Sequence, residues 1–147
     1  MLNAHCQRDI SYDWKKIYTL PRLVSIDSYT RTFQYRLLNN ILYLNKQLFK
    51  MKLVENPLCS YCKIKQETSI HMFSECSISV SIWNKLERWL SPELKLPQLT
   101  PQSAILGFLD SDLDIHDLKL INHILLIFKQ AIYNLRKKST PPNFFSY

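Results

Sequence analysis

The stretch that decides the fold is residues 59–76, CSYCKIKQETSIHMFSEC, which holds three of the four cysteines in this chain. A zinc ion in a structural site takes four thiolate or imidazole ligands in a tetrahedron, at about 2.0 to 2.3 Å. Two cysteines with two residues between them fit one tight turn, and the next eight residues are long enough to reverse the chain. The spacing therefore predicts a zinc site whose ligands are Cys59, Cys62, His71 and Cys76.

Unliganded core thiols are the alternative interpretation, since free cysteines are among the most buried residue types. The first two cysteines, however, lie in a polar, turn-like stretch without apolar periodicity, which favours metal binding. A short helix capped by Thr68 or Ser69 would present His71. This helix has to end or unwind before Cys76, because five residues of an ideal helix rotate the side chain away by about 140°. With four protein ligands the predicted site is closed and structural, and it leaves no position for catalysis.

Upstream of the cysteines, apolar residues at helical spacing predict three helices. The first includes Trp14 and ends near Pro21, because proline interrupts helices. The second begins at Asp27 or Ser28, and its inward side chains are Phe33, Leu37, Leu38, Ile41 and Leu42. The third is one or two turns within residues 45–54, and its inward side chains are Leu48, Phe49 and Met51.

Downstream, a helix capped by Ser77 has inward side chains at Ile78, Ile82, Trp83, Leu86, Trp89 and Leu90. Three prolines mark residues 91–102 as a connector. The longest helix is capped by Asp112 or Asp114, and its apolar face is Leu118, Ile121, Leu125, Phe128, Ile132 and Leu135. Basic residues 136–138 at its end would complement the negative helix C-terminus.

These elements predict an all-α fold, a small helical domain with an embedded CCHC zinc knuckle. Residues 1–90 form the predicted helical zinc-binding domain and residues 91–102 a proline-rich connector. Residues 103–138 form a C-terminal helical extension, and residues 139–147 a tail.

Composition points to a polyanionic partner. The chain of 147 residues carries a net charge of +7, which suits nucleic acid or an anionic membrane surface, although a merely basic protein is the alternative. A single glycine excludes a glycine-rich phosphate loop. The most apolar run, residues 120–128, is too short to span a bilayer, and the N-terminus has no secretory pattern. We therefore expect an intracellular protein, nuclear or cytoplasmic, without a membrane partner.

Three short motifs accompany the ligands: FQYRLLNNIL at residues 33–42, ETSIH at 67–71 and SIW at 81–83. Together with the CCHC spacing, they resemble the zinc-binding domain that follows the polymerase in reverse transcriptases of non-LTR (LINE-type) retrotransposons. The resemblance covers residues from about 14 to 90. Where that family often has Pro-Thr, this chain has Tyr43 and Leu44, in a turn region away from the ligands.

The resemblance implies a Zn²⁺-dependent accessory domain that binds template RNA or target DNA beside a polymerase domain, in cis or in trans. It implies Cys59, Cys62, His71 and Cys76 as the zinc ligands. The chain has no Tyr/Phe-x-Asp-Asp polymerase signature and no endonuclease constellation. We therefore expect no enzyme activity, and a fragment of a reverse-transcriptase polyprotein.

Candidate nucleic-acid contacts are Tyr61, Lys63 and Lys65 on the knuckle, where a ring can stack on a base and lysines can meet phosphate. The alternative is a solvated tip without a ligand. A second candidate basic surface consists of Arg31, Arg36, Lys46, Lys50 and Lys52, although charged runs are more often simply solvated. The other function class is a structural or protein-interaction module, in which the apolar face of residues 115–135 docks on a polymerase or on a second copy.

Overall fold

The computed structural model describes residues 12–94, 98–109 and 112–136. Within those ranges the secondary structure is helical, with one isolated antiparallel bridge between Leu58 and Gln66 and no strand. The helices are α1 Trp14–Val24, α2 Ser28–Leu38, α3 Asn45–Lys50, α4 Ser77–Leu90, α5 Pro101–Leu106 and α6 Ile115–Leu135, and a π-helical turn, His71–Glu75, precedes α4. The all-α prediction is confirmed.

Helix α1 continues past its proline. Asp13 caps it by accepting a hydrogen bond from the amide of Lys16, and Pro21 is buried in its last turns. The amide of Ser25 still donates to the carbonyl of Pro21, at 3.0 Å. A proline removes one N–H donor and its ring crowds the carbonyl four residues earlier, but the residues that follow it can still form helical hydrogen bonds. The prediction that this helix ends near Pro21 is therefore wrong by three residues, since the helix ends at Val24.

Two inward faces predicted for the region before the cysteines are only partly correct. Helix α2 ends at Leu38 because Asn40 has a positive φ of 56°, and Ile41, just beyond the helix, is exposed. Helix α3 has no buried residue, and Phe49 and Met51 are exposed. A helix of six residues is too short for periodicity to fix its inward face.

The core lies where α6 packs against α1 and α2, and where α4 and α5 pack against the π-turn. Its fully buried members include Ile17, Leu37, Phe73, Leu86 and Ile132. Most of the predicted apolar face of α4 is inward, but Trp89 is 60% exposed. Asp114 is the cap of α6, as one of the two predicted alternatives.

Two buried polar side chains fasten α6 to its neighbours. The amide of Asn122 accepts from the backbone N–H of Phe108 at 2.7 Å and donates to the carbonyl of the same residue at 2.8 Å. The ammonium of Lys129 donates to Oε1 of Gln34 and to the carbonyl of Ile105, each at 2.8 Å. Burial lowers the pKa of Lys129 to about 7. These contacts fix the register of α6 against α2 and α5.

The division at residues 90 and 103 stays a prediction, and α6 packs directly on α1 and α2. Of the helices in the described ranges, none is both long and apolar enough to cross a membrane.

Candidate metal centre

The first pair of cysteines lies on a tight reversal of the chain. The amide of Cys59 donates to the carbonyl of Lys65 at 2.8 Å, and the amide of Lys63 donates to the carbonyl of Cys59 at 2.9 Å. Lys63 has a positive φ of 57°, the left-handed conformation that closes such a turn. The reversal places Cys59 in the interior and leaves Cys62 half-buried.

The second pair lies on the π-turn. The side chain of Thr68 accepts from the amide of His71 at 3.1 Å, as predicted for a cap. The amide of Cys76 donates to the carbonyl of His71 at 2.7 Å, an i→i+5 bond that defines a π-helical turn. The wider turn brings Cys76 back over His71, and Cys76 itself is extended. Cys76, rather than the predicted Ser77, holds the N-cap position of α4.

The four predicted ligands meet. Their ligating atoms all lie within 4.8 Å of one another. The sulfur atoms of Cys59 and Cys76 are 3.9 Å apart, and Sγ of Cys62 is 3.3 Å from Nε2 of His71. A zinc–sulfur tetrahedron with bonds of about 2.3 Å has edges of about 3.8 Å, so the cluster fits a zinc ion. Cys6, the fourth cysteine of the chain, lies outside the described residues.

The pKa values of the two buried thiols shift in opposite directions. A hydrogen bond from Cys59, followed by the amides of Ile78 and Ser79, lowers the pKa of Cys76 to about 7 despite burial. The same bond, together with burial, raises the pKa of Cys59, although the amides of Cys62 and Tyr61 oppose this. Cys76 thus loses its proton more readily than Cys59, and Cys59 keeps the proton that it donates to Cys76. A zinc ion replaces such a proton when it binds both sulfur atoms as thiolates.

The imidazole of His71 is oriented for ligation through Nε2. Its other nitrogen, Nδ1, is buried and makes no hydrogen bond within the described residues. Nδ1 lies 3.9 Å from Oε2 of Glu75. Metal-binding histidines commonly donate this second N–H to a carboxylate, which fixes the tautomer. Glu75 is placed to take that role after a small rotation.

A second carboxylate, Glu67, holds the turn that carries Cys59 and Cys62. The sequence alone did not predict this role. Glu67 is fully buried, and its Oε2 accepts from the amide of Ser60 at 2.7 Å and from the hydroxyl of Ser60 at 2.6 Å. Its Oε1 accepts from the amide of Asn45 at 2.9 Å and from Arg136 at 2.8 Å. The ETSIH motif contained this residue, but its buried role depends on a partner far along the chain.

The predicted nucleic-acid contacts on the knuckle differ in exposure. Lys63 and Lys65 are exposed, and Ile64 between them is 78% exposed. Tyr61 is half-buried, and its hydroxyl donates to the carbonyl of Ile132 on α6. Burial raises the pKa of Tyr61. The expected ring at the tip of the turn is thus anchored to the core, while the lysines project into solvent.

The two predicted arginines lie on α2. Arg36 is exposed in the last turn. Arg31 is half-buried, and its Nε donates to the carbonyl of Ser25 at 2.6 Å. Each arginine lines a surface groove of its own, and Thr32 lines both grooves.

A family model described as zinc-binding in reverse transcriptase matches residues 3–83. The chain belongs to this family. The match contains all four ligands and confirms the resemblance drawn from the motifs. What matches is an accessory zinc-binding domain, and no catalytic domain is found beside it. Comparisons with curated proteins and with solved structures give no match.

Proposed function

We propose that the chain is a zinc-dependent nucleic-acid-binding accessory domain of a non-LTR retrotransposon reverse transcriptase, non-catalytic on its own. The observation that carries the proposal is a four-ligand cluster at the base of a turn that exposes Lys63 and Lys65. We place the domain in the nucleus or cytoplasm, where RNA or DNA and a polymerase domain, in cis or in trans, are its partners.

Zinc has a structural role in this proposal. Cys59 and Cys62 come from the turn, whereas His71 and Cys76 come from the π-turn, so the ion crosslinks two separate segments. Four protein ligands leave it no open position for substrate. Loss of zinc would release the turn and with it the fixed positions of Lys63 and Lys65.

The charge of the chain supports a polyanionic ligand. The net charge is +7, and the exposed cations include Lys63, Lys65 and Arg36. Lysines bind phosphate as point charges and carry no sequence preference. We therefore expect the knuckle to contact the backbone of RNA or DNA rather than base edges.

The test is fluorescence anisotropy of labelled RNA and DNA with the zinc-loaded chain over a range of salt concentrations. The logarithm of the affinity should fall linearly with the logarithm of salt, by about 0.7 per phosphate contact on single strands and about 0.9 on duplex DNA. The K63Q/K65Q double variant should lower this slope by roughly 1.4 to 1.8.

The matched control is K85Q/K119Q, which removes two exposed lysines on α4 and α6. It has the same net charge as K63Q/K65Q and should keep a steeper slope. Equal slopes for the two double variants would place the contacts elsewhere. Absence of binding by the zinc-loaded chain, or binding that does not depend on salt, would overturn the proposed function.

A structural or protein-interaction module is the second candidate, and one observation favours it. This observation is that two apolar side chains of α6, Leu120 and Ile127, are exposed. The rest of the predicted docking face is not available to a partner, because Ile121, Leu125 and Ile132 are buried within the chain. A partner would have to use these exposed side chains. A concentration-dependent dimer on sizing chromatography, lost in L120K/I127K and accompanied by no nucleic-acid binding, would support this candidate over the first.

A further inference from the structure

A second surface of the chain combines aromatic rings with arginines. A groove of about 270 Å³ runs between α1 and α2, and its lining residues are Tyr18, Pro21, Arg22, Arg31, Thr32, Tyr35 and Leu38. Its side chains come from two helices of the core, so the backbone beneath it is held in place. The groove has no residue in common with the zinc ligands.

Two tyrosine rings form the aromatic part of this groove. The ring centroids of Tyr18 and Tyr35 are 6.4 Å apart, with an interplanar angle of 56°. Tyr18 is 40% exposed and Tyr35 55%, so both rings offer surface to a ligand. The hydroxyl of Tyr18 donates to Oδ1 of Asn39 at 3.2 Å, which restrains that ring. Exposed aromatic rings are the side chains on which proteins that bind single strands stack unpaired bases.

The charge of the groove is positive. Arg22 is exposed, and the bond from Nε of Arg31 to Ser25 holds its guanidinium at the groove wall. In the part of the chain that the structure describes, no carboxylate lines the groove. Asp27 is a neighbouring carboxylate that caps α2. Hydrogen bonds from the hydroxyl and the amide of Thr30 lower the pKa of Asp27, and the positive charge of Arg31 adds a smaller effect. A ligand that fits must bring negative charge as well as a flat ring.

We propose that this groove binds single-stranded nucleic acid, with an unpaired base stacked on Tyr35 or Tyr18 and flanking phosphates on Arg22 and Arg31. The proposal rests on the proposed function and deepens it by naming an unpaired strand as the ligand. In a duplex both faces of each internal base are already stacked, so a surface ring gains little from it. RNA and DNA share this chemistry, and both are included in the test.

The experiment uses the zinc-loaded full chain and labelled strands of about 12 nucleotides, as RNA, as DNA and as the corresponding duplexes. Fluorescence anisotropy should show that Y35L and Y18L weaken binding of the single strands, each by roughly tenfold. Duplex binding should stay near that of the unchanged chain. Y35F keeps the ring and should bind as the unchanged chain does.

The arginines have a separate signature. R22Q/R31Q should lower the salt slope on single strands by about 1.4, because two phosphate contacts are lost. Y35L should weaken binding without changing that slope. The matched controls lie on α4: W89L removes another exposed aromatic ring and R88Q another exposed arginine, and neither should change single-strand affinity more than about twofold.

The outcomes separate this proposal from the proposed function. If the unchanged chain binds neither single strands nor duplexes, the proposed function fails and this inference fails with it. If it binds with a normal salt slope but Y35L and Y18L bind like W89L, only the groove assignment is overturned. Zinc content and thermal unfolding of each variant, compared with Y35F, identify any loss of binding that comes from a damaged fold.

Discussion

Nη1 of Arg136 lies 2.8 Å from Oε1 of Glu67, and both side chains are buried. The pair joins the end of α6 to the segment between the two ligand pairs. Arg136 also donates to the carbonyl of Tyr43 and lies over the ring of Tyr133, with 4.9 Å from its Cζ to the ring centroid. Through the contact of Glu67 with Ser60, the last helix thus positions the turn that carries Cys59 and Cys62.

Breaking this pair from one side should destabilise the chain strongly. R136M leaves the Glu67 carboxylate buried without its cation, and the expected loss is about 3 to 5 kcal/mol in the free energy of unfolding. Zinc affinity should fall by roughly 10- to 100-fold, because Glu67 holds the turn that carries Cys59 and Cys62 through the amide and hydroxyl of Ser60. Urea unfolding of the zinc-loaded chain and competition with a zinc chelator measure the two effects.

A double-mutant cycle checks that the loss belongs to the pair. E67Q/R136M should lose less stability than the sum of the two single variants, by about 0.5 to 3 kcal/mol. R88M, which removes an exposed arginine on α4, should stay within about 0.5 kcal/mol of the unchanged chain. Strict additivity of E67Q and R136M would mean that the pair is not coupled.

The ligands and the cap of α6 were predictable because local spacing determines them. Cys59 and Cys62 fit one turn, and Asp114 caps α6 by accepting from an amide two residues away. The all-α class followed from helical periodicity in the long elements. The inward face predicted for α3 was wrong, because Phe49 is exposed. Six residues are too few for periodicity to show which side of a helix faces the core.

Long-range polar contacts were not predictable. Arg136 was expected to complement a helix C-terminus. It is instead buried in an ion pair with Glu67, which is 69 residues away in the sequence. Tyr61 was expected at a free tip, but its hydroxyl reaches Ile132, which is 71 residues away. Lys129 is a further example, since its buried position on α6 depends on hydrogen bonds to Gln34 and to the carbonyl of Ile105 on α5. No single-sequence pattern encodes such pairings, because each depends on how helices pack.

Zinc removal should unfold the chain. The binding free energy of structural zinc in small domains is about 10 to 16 kcal/mol, as large as the whole stability of a typical domain. We expect one zinc per chain in the purified protein and loss of the cooperative thermal transition after chelation. Elemental analysis and circular dichroism measure these. C76S should hold clearly less than one zinc, whereas C6S should retain it; a full zinc content in C76S would contradict the assignment.

The buried ammonium of Lys129 should make stability depend on pH. Burial lowers its pKa from 10.5 to about 7 in the folded chain. Between these values the unfolded chain binds a proton that the folded chain does not, so stability rises as pH increases and is lost as pH falls towards 7. Between pH 8 and 9 Lys129 should contribute about 1.4 kcal/mol per pH unit to the slope, in addition to the cysteine ligands, which bind protons again when unfolding releases the zinc. Urea unfolding at several pH values measures it.

The control for this effect is a pair of methionine variants on α6. K129M has no ionisable group at the buried position, so its slope should be smaller than that of the unchanged chain by about 1.4 kcal/mol per pH unit between pH 8 and 9. K119M removes an exposed lysine of the same helix and should keep the slope of the unchanged chain. A slope in K129M equal to that in K119M would show that other groups cause the pH dependence.

Gly107, the chain's single glycine, should not tolerate alanine. Its backbone has φ 85° and ψ 176°, a region that only glycine adopts readily. A Cβ there would lie 2.7 Å from Oδ1 of Asn122, whose amide clamps Phe108, and 2.9 Å from Cδ2 of Leu20. G107A should therefore lose about 2 kcal/mol or more. Q102A, at an exposed position of α5, should be nearly neutral in the same urea titration, and equal stability of the two variants would contradict the strained turn.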